Sequence, residues 1–299
     1  MRVTEKMIPY LGFETYVRIV QPDAPTQARP LLLLHGGPGS THTNLELLDP
    51  LADRDGITII SYDQLGCGNS WDDAMAAHPE LWCKETWLGE LRCLIDTLDL
   101  TDFHLLGQSW GGMLALLYLI GDKPSAVRSV VLSSTLADAQ LWGKEGHRRF
   151  KYLTPTDVAA LTQAEETGSY DSSAYTEALK HYMELFCAGP VRADDPEPLR
   201  RARRKGDISY QVAWGPNEFT PTGTLSTYNV SQQLSDVICP ALIISGTEDL
   251  SSPIIAKQLF DGIPRARWEL MSGCRHMCFA DDTPRYLNIL SAWLGEKDL

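Results

Sequence analysis

Phe103-His104-Leu105-Leu106-Gly107-Gln108-Ser109-Trp110-Gly111-Gly112 decides the fold of this 299-residue chain. A short apolar run enters a G-x-S-x-G turn, and an apolar, small-residue stretch from Trp110 to Ile120 leaves it at helical spacing. Strand, sharp turn and helix form the context in which G-x-S-x-G holds a serine nucleophile. The glycines allow the turn without a Cβ collision. The turn leaves the Ser109 hydroxyl standing clear of a sheet at a helix N-terminus.

The surrounding sequence repeats that alternation. Leu31-Leu32-Leu33-Leu34 breaks off at His35-Gly36-Gly37-Pro38-Gly39. A short unbroken apolar run is the pattern of a strand buried on both faces. Similar runs occupy Ile57 to Tyr62, Val127 to Leu132, Ala241 to Ile244 and, mixed with polar residues, Arg267 to Leu270. Helical spacing is present over Trp87 to Leu98, Ile255 to Phe260 and Tyr286 to Leu294. Strands alternating with helices predict a parallel sheet covered on both faces, an α/β fold. Before it, Tyr10, Phe13, Tyr16, Val17, Ile19 and Val20 fall in the alternating pattern of antiparallel strands, followed by a Pro-rich turn from Gln21 to Pro25. The α/β pattern stops between Leu136 and Ser235. That block predicts helices over Pro155 to Gln163, Ser172 to Cys187 and Pro196 to Arg204. The domain reading is therefore a core of residues 1–135 and 236–299 carrying an inserted helical block, 136–235.

Charge and composition remove several classes of function. The net charge of −13 argues against nucleic acid or an anionic membrane as the main partner, because a phosphate backbone needs a basic face. No stretch approaches about 18 consecutive apolar residues, so no transmembrane helix is expected. Met1 to Met7 contains no apolar segment of the secretory type. Seven cysteines, an odd number without C-x-x-C pairs, point to a reduced, cytoplasmic chain. Hydrophobic residues at 43% supply a packed core and exclude wholesale disorder.

A serine hydroxyl needs a base to take its proton, and the base needs an orienting acid. After this kind of elbow the chain order is serine, acid, histidine. Ile243-Ile244-Ser245-Gly246-Thr247-Glu248-Asp249 ends a strand with two acids; Asp249 is the first choice and Glu248 the alternative. His276, in Ser272-Gly273-Cys274-Arg275-His276-Met277-Cys278, is the only histidine after residue 181 and so the expected base. The oxyanion requires two N–H donors. The Trp110 N–H, directly after the nucleophile, is one; Gly37 in the early glycine-rich loop is the expected second. His35 reads as structural. No cofactor and no metal are called for: one histidine between Cys274 and Cys278 supplies too few zinc ligands, and both cysteines read as small buried fillers.

Taken together, these residues resemble the proline iminopeptidases of the α/β-hydrolase fold, particularly the tricorn-interacting aminopeptidase type and the related L-amino acid amidases. The matching pieces are His35-Gly36-Gly37-Pro38-Gly39-Ser40, Ser61-Tyr62-Asp63-Gln64-Leu65-Gly66-Cys67-Gly68-Asn69-Ser70, the Ser109 elbow, and Trp214-Gly215-Pro216-Asn217-Glu218-Phe219-Thr220-Pro221-Thr222-Gly223. The resemblance implies that block 136–235 is a helical cap. It implies a serine hydrolase that removes an N-terminal residue, often proline, from a small peptide or amino acid amide. It also implies that Glu218 binds the substrate's α-amine. One position departs: the pattern often carries a second acid after the triad aspartate, where this chain has Leu250. That departure leaves open a diverged amidase or esterase acting on a small amine-bearing metabolite. A non-catalytic ligand-binding relative is disfavoured by the survival of Ser109, Asp249 and His276.

Two further features are assigned to structure. Arg200-Arg201-Ala202-Arg203-Arg204-Lys205 reads as a solvated helix face balanced by Asp194, Asp195 and Glu197. Trp71, Trp82, Trp87, Trp142 and Trp214 read as packing, with Trp142 and Tyr210 as possible pocket walls.

Overall fold

The computed structural model describes residues 1–24 and 26–298; Pro25, part of the expected turn after Gln21, lies outside the described residues. Eight strands form one sheet: β1 (Arg2–Tyr10), β2 (Phe13–Gln21), β3 (Leu31–Leu34), β4 (Ile59–Tyr62), β5 (Phe103–Gln108), β6 (Val127–Ser133), β7 (Ala241–Gly246) and β8 (Ala266–Met271). Their order is β1-β2-β4-β3-β5-β6-β7-β8. The pairs β1–β2 and β2–β4 are antiparallel and all others are parallel. The helices are α1 (Pro50–Asp55), α2 (Lys84–Thr97), α3 (Trp110–Asp122), α4 (Ala139–Arg148), α5 (Pro155–Thr167), α6 (Ser173–Phe186), α7 (Glu197–Arg200), α8 (Asp207–Ala213), α9 (Pro253–Gly262), α10 (Cys278–Asp281) and α11 (Thr283–Asp298). None is long and apolar enough to cross a membrane among the described residues.

The four leucines of β3 explain the two-sided core. Successive side chains point to opposite faces of a strand. Leu32 and Leu34 join a cluster with Leu105, Val130 and Ile243, packed on α2, α3 and α9. Leu31 and Leu33 join a second cluster with Leu106, Val131 and Leu242, packed on α1 and α11. A polar residue anywhere in this run would face apolar side chains, which is why the run is unbroken.

Residues 136–235 lie between β6 and β7 and contain α4 to α8 without a strand of the sheet. The entry and exit of this block are laced together. Ala139 N–H donates to the Tyr228 carbonyl at 2.9 Å and Val230 N–H to the Ala137 carbonyl at 2.8 Å. The expected helix over Pro196 to Arg204 is a correction: it shrinks to the single turn of α7. The reason lies in where its backbone bonds go. Arg201 is extended (φ −62°, ψ 128°). The Arg204 carbonyl accepts from Gly68 N–H at 2.8 Å, and Gly206 N–H donates to the Gly39 carbonyl at 2.7 Å. Bonds to the core loops replace those a helix would make to itself. Helices α4 and α8 were not expected from periodicity: α4 carries two helix-weakening glycines, Gly143 and Gly146, and α8 is only seven residues long.

Where β5 turns into α3, the backbone of the elbow presses against its neighbours. A Cβ on Gly111 would sit 2.1 Å from the Leu34 carbonyl oxygen, and one on Gly107 2.3 Å from the Gly111 oxygen. Gly111→Ala is expected to lower stability by about 1–3 kcal/mol, the usual cost of overpacking. Gly121→Ala, in the same helix with nothing within 4 Å of the new methyl, is expected to be neutral or stabilising by up to about 1 kcal/mol. Urea midpoints of the two variants against the parent chain check both signs.

Candidate active site

Ser109 occupies the turn between β5 and α3 at φ 54°, ψ −120°. A non-glycine residue held there costs roughly 1–3 kcal/mol and persists only when its surroundings over-determine it. They do. Ser109 N–H donates to the Ser133 carbonyl at 2.9 Å, and the Ser109 carbonyl accepts from Thr135 Oγ1 at 2.6 Å and from Gly112 N–H at 2.9 Å. Trp110 is the first residue of α3, so its N–H is among those a helix leaves without an internal partner.

The second loop arrives from β3. A Cβ on Gly36 would lie 2.3 Å from Gln108 Oε1 and 3.0 Å from Ser109 Cβ, so this loop touches the elbow. Gly37 has φ +114°, a conformation side chains rarely adopt. His35 fixes the loop from below. Its Nε2 accepts from Gln64 N–H at 3.0 Å, so its proton sits on Nδ1, which donates to the Gly36 carbonyl at 2.8 Å. Burial lowers its pKa to about 4, which keeps it neutral. Gln64 then joins the two loops. Its amide N donates to the His35 carbonyl at 3.0 Å, and its Oε1 accepts from the Trp110 indole at 2.7 Å. An indole only donates, so the amide orientation is determined. Sequence reasoning missed Gln64 as the link between these loops; no pattern in one chain reports a side-chain bridge between residues 35 and 110.

Asp249 and His276 meet as expected from their order. His276 Nδ1 donates to Asp249 Oδ1 at 2.8 Å, and the carboxylate also accepts from Ser251 N–H at 2.8 Å and Gly246 N–H at 3.2 Å. Asp249 is fully buried, whereas Glu248 is exposed and takes no part. The end of α6 holds both loops: the Phe186 carbonyl accepts from His276 N–H at 3.0 Å and Leu250 N–H at 3.2 Å. Leu250 is itself buried in the core. Ser109 and His276 line one cavity of about 370 Å³. They are not hydrogen-bonded to each other in this arrangement, a common state of such pairs without substrate.

Glu218 lines the same cavity. Local bonds shape its segment: Phe219 N–H donates to Asn217 Oδ1 at 3.0 Å, and the Trp142 indole donates to the Glu218 carbonyl at 2.7 Å. Trp142 also stands edge-on to His276, ring centres 5.7 Å apart. Tyr210 OH donates to Glu218 Oε1 at 2.9 Å. Burial raises the Glu218 pKa; His276 and the Tyr210 bond pull the other way without cancelling it. Its carboxylate has one hydrogen-bond donor among the described residues, Tyr210 OH, and so keeps capacity for a further donor or a positive charge.

Comparisons with known proteins bear on the fold and the family. A family model described as the alpha/beta hydrolase fold matches residues 29–283. A proline iminopeptidase of Clostridioides difficile (strain 630) is 48% identical over the full length of both chains. The chain belongs to the proline iminopeptidase family. Within that family, a proline iminopeptidase of Lactobacillus delbrueckii subsp. lactis is also 48% identical over the whole of both chains. The crystal structure of a proline iminopeptidase of Mycobacterium smegmatis superposes with a TM-score of 0.87 at 28% identity, covering 99% of each chain. The α/β-hydrolase fold expected from the elbow is thus the fold of the chain.

Cys274 and Cys278 are buried, as expected, and the cysteine that lines the cavity is Cys187, at the end of α6. One other expectation is revised. The basic run is not a balanced helix face. Arg201 pairs with Glu46 at 2.6 Å and with Glu197, Arg204 pairs with Asp73 at 2.9 Å, and Arg203 and Lys205 reach the cavity.

Glu46 belongs to a buried ion cluster behind the glycine-rich loop. His42 Nδ1 bonds Asp63 at 2.7 Å and its Nε2 lies 3.3 Å from Glu46. Burial lowers the His42 pKa, but the bonds to Asp63 and Glu46 outweigh it and raise it to about 9. A histidine raised from 6.5 to about 9 stabilises the fold fully below pH 6.5 and loses that contribution as pH climbs to 9. Urea titrations are expected to show a fall of up to about 3 kcal/mol over that window. His42→Gln is expected to flatten the profile there.

Proposed function

We propose that this chain is a serine aminopeptidase that releases N-terminal proline from short peptides and amino acid amides through an acyl-enzyme. The observation that carries the reading is Glu218: a part-buried carboxylate bonded by Tyr210 OH, with a raised pKa, in the cavity that also holds Ser109 and His276. An N-terminal proline presents a secondary ammonium, and pairing draws Glu218 to its charged form. The named relatives, 48% identical over the full length, support the same activity.

In this reading Ser109 Oγ attacks the carbonyl of the first residue. His276 takes the hydroxyl proton, and Asp249 holds the imidazole in the tautomer that leaves Nε2 free to accept it. The N–H groups of Gly37 and Trp110 receive the oxyanion. His276 then returns the proton to the leaving amine. Water attacks the prolyl ester, its proton passing through His276 to Ser109 Oγ, and free proline leaves. Residues 136–235 act as a helical cap on the core of residues 1–135 and 236–299, because Glu218, Tyr210 and the end of α6 all come from them. With an acid absent at Leu250, Glu218 carries amine recognition without a second acid at that position. A peptide-hydrolysing role on small substrates in the cytoplasm suits seven free cysteines and a net charge of −13.

The test is kcat/KM on prolyl-p-nitroanilide, alanyl-p-nitroanilide and N-acetylprolyl-p-nitroanilide. Prolyl cleavage should be fastest, and N-acetylation should lower it by about 10²-fold or more, the effect of losing a buried charge pair. Glu218→Gln should cost a similar factor, chiefly in KM, and Ser109→Ala more than about 10⁴ in kcat. Equal cleavage of the N-acetylated compound would remove Glu218 from amine recognition and leave an esterase or amidase indifferent to the terminus.

A further inference from the structure

Arg203 and Lys205 line the cavity of Ser109, His276 and Glu218. Their sequence neighbours are paired: Arg201 with Glu46, Arg204 with Asp73. Among the described residues, no carboxylate lies within ion-pair distance of Arg203 or Lys205. Asp207, another acid lining the cavity, pairs with neither. Arg203 Nε is buried without a hydrogen-bond partner, and Nη1 makes only a long contact, 3.4 Å, to the Arg201 carbonyl. Burial alone shifts its pKa, and the shift is downward, since no acid opposes it. A half-buried guanidinium without a counter-charge is a standing cost that an arriving anion removes.

The segment is held firmly enough to be a site. The Arg204 carbonyl accepts from Gly68 N–H, and Gly206 N–H donates to the Gly39 carbonyl at 2.7 Å. A Cβ on Gly206 would lie 2.4 Å from the Gly66 oxygen, so backbone meets backbone there. The cations are thus pinned to the loop that begins at His35 and carries Gly37. The cavity has a negative pole at Glu218 and a positive one at Arg203 and Lys205. A free di- or tripeptide has the same two poles, an ammonium at one end and a carboxylate at the other. Each extended residue adds about 3.5 Å, so its carboxylate stands one or two residues past the scissile bond. The planar fork of an arginine matches a carboxylate in two hydrogen bonds.

We infer that Arg203, assisted by Lys205, forms a subsite for the C-terminal carboxylate of short peptides, so that free di- and tripeptides are preferred to C-terminally blocked ones. This rests on the aminopeptidase reading of Ser109 and Glu218.

The experiment compares release of proline from prolylalanine and prolylalaninamide by the parent chain, Arg203→Gln and Arg203→Lys. The parent is expected to favour the free acid by about 10- to 100-fold in kcat/KM, the value of one charge-assisted contact. In Arg203→Gln that ratio should fall to about threefold or less, and Arg203→Lys should keep part of it. Calorimetric titration of Ser109→Ala with both compounds should give the same preference in Kd without turnover. A parent ratio near one in both measurements overturns the subsite. So does an equal loss on acid and amide in Arg203→Gln, the pattern of a damaged fold. If the parent cleaves neither compound while Ser109→Ala still binds the acid more tightly, the aminopeptidase reading fails and the subsite stands.

Discussion

The hydrogen-bonded ladder between β3 and β5 is the interaction on which the site depends. Leu31 to Leu34 run parallel to His104 to Gly107 in register. Parallel neighbours end side by side, so the loops at their carboxyl ends must converge. One of those loops holds Gly37 and the other Ser109. Their closeness is a consequence of the sheet; the glycines at 107 and 111 allow backbone to meet backbone there, and Gly36 leaves room for the Gln108 and Ser109 side chains. Gln64, from the loop after β4 on the far side of β3, then ties the His35 carbonyl to the Trp110 indole.

Buried and part-buried charge is handled in three ways in this molecule. Behind the glycine-rich loop it is paired, in the cluster of His42, Asp63, Glu46 and Arg18, to which the exposed Arg201 adds a bond at Glu46. Elsewhere it is neutralised. His35 is held at a pKa of about 4, and burial raises Glu90 to about 8, where it accepts from Leu65 N–H and Thr15 Oγ1. In the cavity it is left incomplete, at Glu218 and Arg203. The first two arrangements make the walls rigid and electrically quiet. The third leaves two poles that a zwitterionic ligand can complete. Under the proposed function, the same burial physics serves structure on one side of the loop and recognition on the other.

The inserted block is coupled to the core at the points where it matters for chemistry. The α6 carbonyl of Phe186 receives the N–H groups of both Leu250 and His276, so a helix end that would otherwise lack partners braces the acid and base loops together. Arg149, also from the block, donates to the Asp249 carbonyl and lies over the Phe186 ring. Displacing the block would loosen the acid and the histidine as well as opening the cavity.

Much of this was legible in the chain itself, because the signals are local. Apolar runs of four to six residues mark strands buried on both faces, G-x-S-x-G between strand and helix marks the nucleophile, and chain order alone singles out His276. The choice of Asp249 over Glu248 was a local guess that needed the fold, since adjacent side chains point apart and only one is buried. Other features had no local signal at all. The run from Arg200 to Lys205 has the composition of a solvated helix, yet the Arg204 carbonyl bonds Gly68 and the adjoining Gly206 N–H bonds Gly39, each more than 130 positions earlier. Cys187, Gln64 and His42 acquire their places only from partners distant in sequence. Periodicity and motif determine which segments become strands, helices and turns, since those depend on neighbours a few residues away. Which charges are paired, neutral or left open is decided by tertiary packing, because desolvation and Coulomb energy depend on what surrounds a group in space.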